Sequence, residues 1–280
     1  MSDVDDLIEQ IQLLLLYEYQ RLTPASLNKI IRDRMPSITP ARIREAVHSL
    51  VDQGTLHYTN HLCTSHLEVN FARAVAVSQH IVLAPAQMDQ QDRPDVIVVK
   101  LAAGDAFGSG EHPTTRLALQ AVDWVISELK HQGSLLEKKA LDIGTGSGVL
   151  AIAAVKLGLA AALGIDIDPV ACYEAKTNLK LNAMTHRIDI SATPLENITG
   201  VKFDLIMANL RVPTLKKFIP MMLALTHPGG YWVLSGFRPD ELAGLLKTLP
   251  CGMIQERWQQ RELNWAAVVL KYFPPPIAPS

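Results

Sequence analysis

The chain has 280 residues, 48% of them hydrophobic and 19% charged, which is the balance of a folded globular protein and excludes a disordered one. A net charge of −2 gives no electrostatic basis for a polyanion partner, and Cys63, Cys172 and Cys251 lack CxxC spacing, so they read as reduced core thiols and not as metal ligands or disulfides. No apolar run approaches the roughly 20 residues of a membrane-spanning helix, and the acidic residues 1–6 lack the basic start of a signal peptide, so a soluble cytoplasmic protein is expected.

Residues 5–20 carry Leu7, Ile8, Ile11, Leu14 and Leu15 on a helical period. Thr23-Pro24 and Thr39-Pro40 each pair an N-cap residue with proline in the first helical turn, and Gly54 closes the third helix. Residues 55–60 and 66–70 then read as two short strands around a polar turn. Three helices and a hairpin give residues 1–70 the outline of a winged-helix-like domain. Residues 71–105 alternate apolar and polar positions in short runs around a polar loop at 88–94, and are expected to be a linker with short strands. From residue 113 the pattern becomes helix, strand, helix, strand. The apolar runs 140–143, 162–165, 203–208 and 231–234 predict buried parallel strands, hence a doubly wound α/β sheet over residues 106–272. The tail 273–280, with Pro274-Pro275-Pro276, is expected to be disordered.

The central motif is a strand-turn-helix, Asp142-Ile143-Gly144-Thr145-Gly146-Ser147-Gly148, leading into an apolar helix near Val149. Glycines there accept backbone angles closed to other residues and let a ligand approach the main chain. The helix start offers free N–H groups to an anion. A dinucleotide fingerprint needs GxGxxG, and here the third glycine arrives one residue early, with Val149 in the required place. A Walker loop is excluded, because no Gly-Lys-Ser/Thr follows. A tight structural turn is the plain alternative to a ligand site. Asp166 ends the next predicted strand, about twenty residues on, where a carboxylate suits a pair of ribose hydroxyls. Asp168 is expected to cap the following helix, which starts at Pro169. Asn209 ends the fourth predicted strand, on the edge of the sheet where ligands sit, although a strand-terminating turn would also place an asparagine there.

The segment Phe107-Gly108-Ser109-Gly110-Glu111-His112-Pro113-Thr114-Thr115 resembles the signature that precedes the core domain of PrmA-type methyltransferases, which modify ribosomal protein L11. Residues 141–158, Gly164-Ile165-Asp166-Ile167-Asp168-Pro169, Ala208-Asn209-Leu210, Pro228-Gly229-Gly230 and Leu234-Ser235-Gly236 are similar to that family too, over about residues 75–271. The resemblance implies a seven-stranded class I fold with a reversed last strand, for which residues 262–270 are available. It implies S-adenosylmethionine as cofactor and a protein amine, a ribosomal one in the first place, as acceptor. Donor contacts are implied at Thr115, Gly144, Asp166 and Asn209. The glycine-rich turn adds Asp142, Gly146 and Gly148 to the expected cofactor set, and Asn209 is also the expected catalytic residue, its carbonyl oxygen orienting the attacking amine. His112 either takes part in catalysis or orders its loop.

Three departures separate this chain from the family pattern. The family's N-terminal domain is an α+β substrate-recognition domain, whereas residues 1–70 read as a winged helix. Ala102-Ala103-Gly104 stands where Asp-Pro-Gly is usual, and Arg211-Val212-Pro213 where small apolar residues follow the asparagine. A winged helix raises the alternative of a nucleic-acid-binding methyltransferase or regulator, with Arg42, Arg44 and His48 on the predicted recognition helix and Arg32 and Arg34 nearby. Within residues 1–73, however, Arg21, Lys29, Arg32, Arg34, Arg42, Arg44 and Arg73 are outweighed by Asp3, Asp5, Asp6, Glu9, Glu18, Asp33, Glu45, Asp52 and Glu68. Without a net positive charge the phosphate-neutralising contribution is missing, and protein docking is favoured.

Overall fold

The amino-terminal unit, Met1–Arg73, contains three helices and a hairpin in the computed structural model, which describes residues 3–18, 21–61, 64–104 and 106–274. Helix α1 (Asp3–Leu13) runs on into a π-helical turn, Leu14–Glu18, and is followed by α2 (Pro24–Arg34) and α3 (Pro40–Asp52). Both threonine–proline starts behave as the sequence predicts. Thr23 Oγ1 accepts from Ser26 N at 3.1 Å and Thr39 Oγ1 from Arg42 N at 3.4 Å, each satisfying one of the free N–H groups of a helix start. Strands β1 (Leu56–His61) and β2 (Thr64–Val69) pair antiparallel, with β2 starting two residues before the expected position. Leu7, Ile11, Ile31, Ile43, Leu50 and Leu67 share one core, and burying each side chain contributes about 1.5–3 kcal/mol.

The second unit, Ala74–Ser280, begins with β3 (Val75–Ala76), β4 (Ile81–Pro85) and β5 (Ile97–Leu101), and continues through α4 (Pro113–Gln132), β6 (Lys139–Ile143), α5 (Val149–Lys156), β7 (Ala161–Ile165), α6 (Pro169–Leu181) and β8 (Ile188–Ser191). It ends with β9 (Phe203–Asn209), α7 (Val212–Leu225), β10 (Thr226–Phe237), α8 (Leu242–Leu246), β11 (Ile254–Glu262) and β12 (Trp265–Tyr272). The segment expected as a linker is part of this unit. Strands β3, β4 and β5 form their own small sheet, and side chains of α5 and α6 bind the backbone of β5 and the residue after it. Asn182 both accepts from Lys100 N (2.9 Å) and donates to Lys100 O (2.7 Å), Asn178 accepts from Ala102 N (2.9 Å), and Lys156 Nζ donates to Val98 O (2.7 Å).

The main sheet has seven strands in the order β11-β12-β10-β9-β6-β7-β8. Strands β7, β6, β9 and β10 pair parallel, and β12 runs antiparallel between β10 and β11, which is the reversed strand the resemblance implies. Residues 262–270 are not one strand. Glu262 ends β11 and Trp265 begins β12, joined by a turn in which Leu263 (φ 53°) and Asn264 (φ 67°) both adopt the left-handed backbone of a tight hairpin turn. Phe273, assigned to the tail, donates its N–H to Met253 O at 2.7 Å, while residues 275–280 lie outside the described residues. Cys172 is buried and Cys251 exposed, both as free thiols, and Cys63 lies outside the described residues. Among the described residues no helix is long and apolar enough to cross a membrane, and no three potential metal ligands converge.

Strand β6 has β7 on one side and β9 on the other, so the chain's crossovers diverge at its carboxyl end. In open α/β sheets that reversal opens a crevice, and ligands bind there.

Candidate active site

A cleft of about 570 Å³ opens at the carboxyl ends of β6, β7 and β9. Gly144 and Gly146 line it from the β6–α5 turn, Asp166, Ile167 and Asp168 from the end of β7, Thr193 and Leu195 from beyond β8, and Asn209, Leu210 and Arg211 from the end of β9. Phe107, His112, Thr114 and Trp265 also line it.

The turn is pinned before any ligand arrives. Gly144 N and Thr145 N both donate to Ile165 O, at 2.8 and 3.0 Å, tying β6 to the end of β7. Gly146 has φ +54°, and a Cβ there would stand 2.4 Å from Phe107 O. At Gly144 it would meet the Leu210 side chain at 2.8 Å, and at Gly148 the Cβ of Ala175 at 3.3 Å. The three glycines therefore let three other segments close on the turn, and the cleft is shaped by that packing.

Asp166 is oriented by backbone donors. Its Oδ2 accepts from Gly146 N and its Oδ1 from Asp168 N, both at 3.0 Å, which leaves one lone pair on each oxygen for a ligand. Asp168 caps α6 as expected, accepting from Val170 N at 2.8 Å. Asn209 Oδ1 is buried and has no hydrogen-bond partner among the described residues. A buried amide oxygen left without a donor costs about 1–3 kcal/mol, so this atom calls for a ligand N–H or O–H.

The remaining expected contacts, Thr115, Asp142 and Gly148, lie behind the wall. Thr115 is buried, and its neighbour Thr114 faces the cleft, because one residue turns a helix by about 100°. Gly148 starts α5 and packs on α6. Asp142 accepts from Thr145 Oγ1 (2.7 Å) and Ala151 N (3.3 Å), fixing the turn and the first turn of α5. Burial pushes its carboxyl up to about 6, with Asp166 adding to the rise and the two hydrogen bonds opposing it. A folded-state value above the unfolded one of about 3.9 means the folded protein holds this proton more tightly. The resulting stabilisation is complete below about pH 4 and is lost as pH rises through about 6. Relative to Asp142→Asn, the wild type should lose roughly 3 kcal/mol of stability between pH 4 and 7. Urea titrations of both proteins across that range check it, and parallel pH dependences would contradict it.

Sequence reasoning did not find the aromatic side of the cleft. The His112 ring lies 5.2 Å from that of Phe107 and 4.9 Å, edge-on, from that of Trp265. Its Nδ1 accepts from Thr114 N (3.3 Å), so the ring caps α4. Burial, and then the charge of Arg116, lower its pKa, which keeps the imidazole neutral near pH 7. Behind it, Arg116 forms a buried ion pair with Glu262, whose carboxyl is raised by burial and held down by the guanidinium.

Residues 68–275 match the family described as "Ribosomal protein L11 methyltransferase (PrmA)", which leaves 1–67 outside the match. The chain is 35% identical over 208 residues to a ribosomal protein L11 methyltransferase of Pelobacter propionicus, covering 74% of this chain and 66% of that protein. It is 34% identical to one of Halalkalibacterium halodurans, covering 72% and 62%. The chain thus spans somewhat less than two thirds of the length of these curated relatives. A solved ribosomal protein L11 methylase of Lactobacillus delbrueckii subsp. bulgaricus superposes with a TM-score of 0.62 at 28% identity, over 72% of this chain and 100% of that one. With the family match covering most of the sequence and the main sheet seven-stranded as expected, this chain belongs to the ribosomal protein L11 methyltransferase (PrmA) family.

Proposed function

We propose that the cleft binds S-adenosylmethionine and that the protein transfers its methyl group to an amine of a protein, in the first place a ribosomal one. One observation carries the reading: Gly146, Asp166 and Asn209 share a single cleft, with the Asp166 carboxylate held by two backbone N–H groups and Asn209 Oδ1 in need of a donor. In this reading Asp166 takes the ribose hydroxyls, and the apolar wall of Ile143, Ile165 and Leu195 flanks the nucleoside.

The bound donor supplies an already activated methyl group. The protein's own task is to hold a neutral amine in line with it, at near-attack distance. Apolar residues of the lining, Ile143, Ile165 and Leu195 among them, reduce the solvation of an entering ammonium, and desolvation lowers its pKa. Asn209 Oδ1 accepts an N–H of the amine and offsets the positive charge that develops on nitrogen. Neutral His112 adds no opposing charge.

The relatives' names supply the acceptor class, and the amino-terminal unit lies almost wholly outside the family match, so it is assigned to docking. Deleting residues 1–73 should leave donor affinity within about threefold of wild type, because Gly146, Asp166 and Asn209 lie beyond the cut, and lower kcat/KM at least about tenfold through lost docking. Incubation with labelled donor and a crude ribosomal fraction, followed by separation of protein from RNA, tests both parts. Label in protein that disappears with the truncation supports the reading. Label in RNA would transfer the amino-terminal unit to nucleic-acid binding, and full transfer by the truncated enzyme would refute docking.

A further inference from the structure

Arg116 and Glu262 are 146 residues apart in sequence and are almost completely buried, with side chains 2% and 1% exposed. Arg116 Nε donates to Glu262 Oε1 at 2.8 Å, and Nη2 donates to the same oxygen. Its Nη1 donates to the carbonyls of Gly110 (2.8 Å) and Glu111 (2.6 Å). One guanidinium therefore joins α4, the loop that precedes it and the end of β11. Two buried charges contribute less to stability than their contacts suggest, since an apolar pair of similar volume often serves as well. Their placement is more informative. Gly110 and Glu111 sit next to His112, and Glu262 is followed by the left-handed Leu263–Asn264 turn that delivers Trp265. A second polar link joins the same two walls: Ser235 Oγ lies 3.0 Å from Thr114 O and 3.3 Å from Ala266 O.

We propose that Arg116 and Glu262 are positioning residues that hold Trp265 against His112 and so set the acceptor side of the cleft. The inference rests on the proposed function for its catalytic consequence, though not for the tie itself. It accounts for a fork-shaped cation at position 116. A lysine presents a compact ammonium, which is poorly suited to meeting a carboxylate and two carbonyls at once.

Glu262→Gln leaves Arg116 buried without a counter-charge and risks misfolding, so the deciding variant is Arg116→Met/Glu262→Leu, which removes both charges. The full-length protein is labelled with 5-fluorotryptophan, and the Trp265 line is assigned with Trp265→Phe. In the folded double variant the Trp265 line should shift and broaden while those of Trp124 and Trp232 stay in place. Amides 111 and 112 should exchange faster, and S-adenosylmethionine affinity should remain within about threefold of wild type, since Gly108 is held separately by Ser147 Oγ. With a ribosomal-protein fraction as acceptor, kcat should fall on the order of 10²-fold at unchanged donor KM. An unmoved Trp265 line in the folded variant overturns the proposal, as does a moved line with undiminished kcat. Failure of the wild type to bind S-adenosylmethionine would sink the functional reading alone, and the fluorine line would still decide the tie.

Discussion

Gly146→Ala should abolish donor binding in a protein that still folds. The obstacle is steric before it is chemical. The residue has φ +54°, which costs an L-residue about 1–2 kcal/mol, and the new Cβ would stand 2.4 Å from the carbonyl oxygen of Phe107. That carbonyl cannot simply withdraw, because it accepts from Ser147 N at 2.9 Å while Ser147 Oγ binds Gly108 O at 3.0 Å. The turn or the 107–108 loop must move, and both line the cleft. A loss of at least about 10²-fold in affinity, close to 3 kcal/mol, is expected by calorimetry, and a larger loss for Gly146→Val. Wild-type affinity in folded Gly146→Ala would mean that the turn is only structural and the donor sits elsewhere.

Asp166→Ala carries the second large effect. Losing a charge-assisted pair to the ribose hydroxyls should cost roughly 2–4 kcal/mol of donor affinity, about 30- to 10³-fold. The substitution also strips the acceptors from Gly146 N and Asp168 N, so the turn itself loosens. Asp166→Asn keeps the side chain's shape and one acceptor but sets an amide NH₂ against either Gly146 N or Asp168 N and against the donating ribose, so donor affinity should fall nearly as far, and the turn should loosen less than in Asp166→Ala. Undiminished donor affinity in either folded variant would remove Asp166 from the site.

The parts of the site fixed by local chain geometry were legible in the sequence. A strand ending in Asp142, a glycine turn and a carboxylate at the next strand end place Gly146 and Asp166 together whatever surrounds them. Asn209 was legible for the same reason. Side-chain direction was not. Residues 114–117 are all buried, so no periodicity distinguished Thr115 from Thr114. The attachment of residues 98–102 to α5 and α6 was not legible, because the partners Asn178 and Asn182 lie about 80 residues downstream and bind backbone atoms, which leave no pattern in composition. The Leu263–Asn264 turn lacks the Asn-Gly signal of tight hairpins, so the expected strand 262–270 ran through it and the place of Trp265 at the cleft was not legible. Arg116 and Glu262 meet only in the folded chain.

Calorimetric titration of the full-length protein with S-adenosylmethionine and, separately, with NAD tests the central claim most directly. One site that takes S-adenosylmethionine, ignores NAD and is weakened about 30- to 10³-fold in Asp166→Ala is the predicted result. Binding of NAD, or no binding of S-adenosylmethionine by the folded wild type, would contradict it.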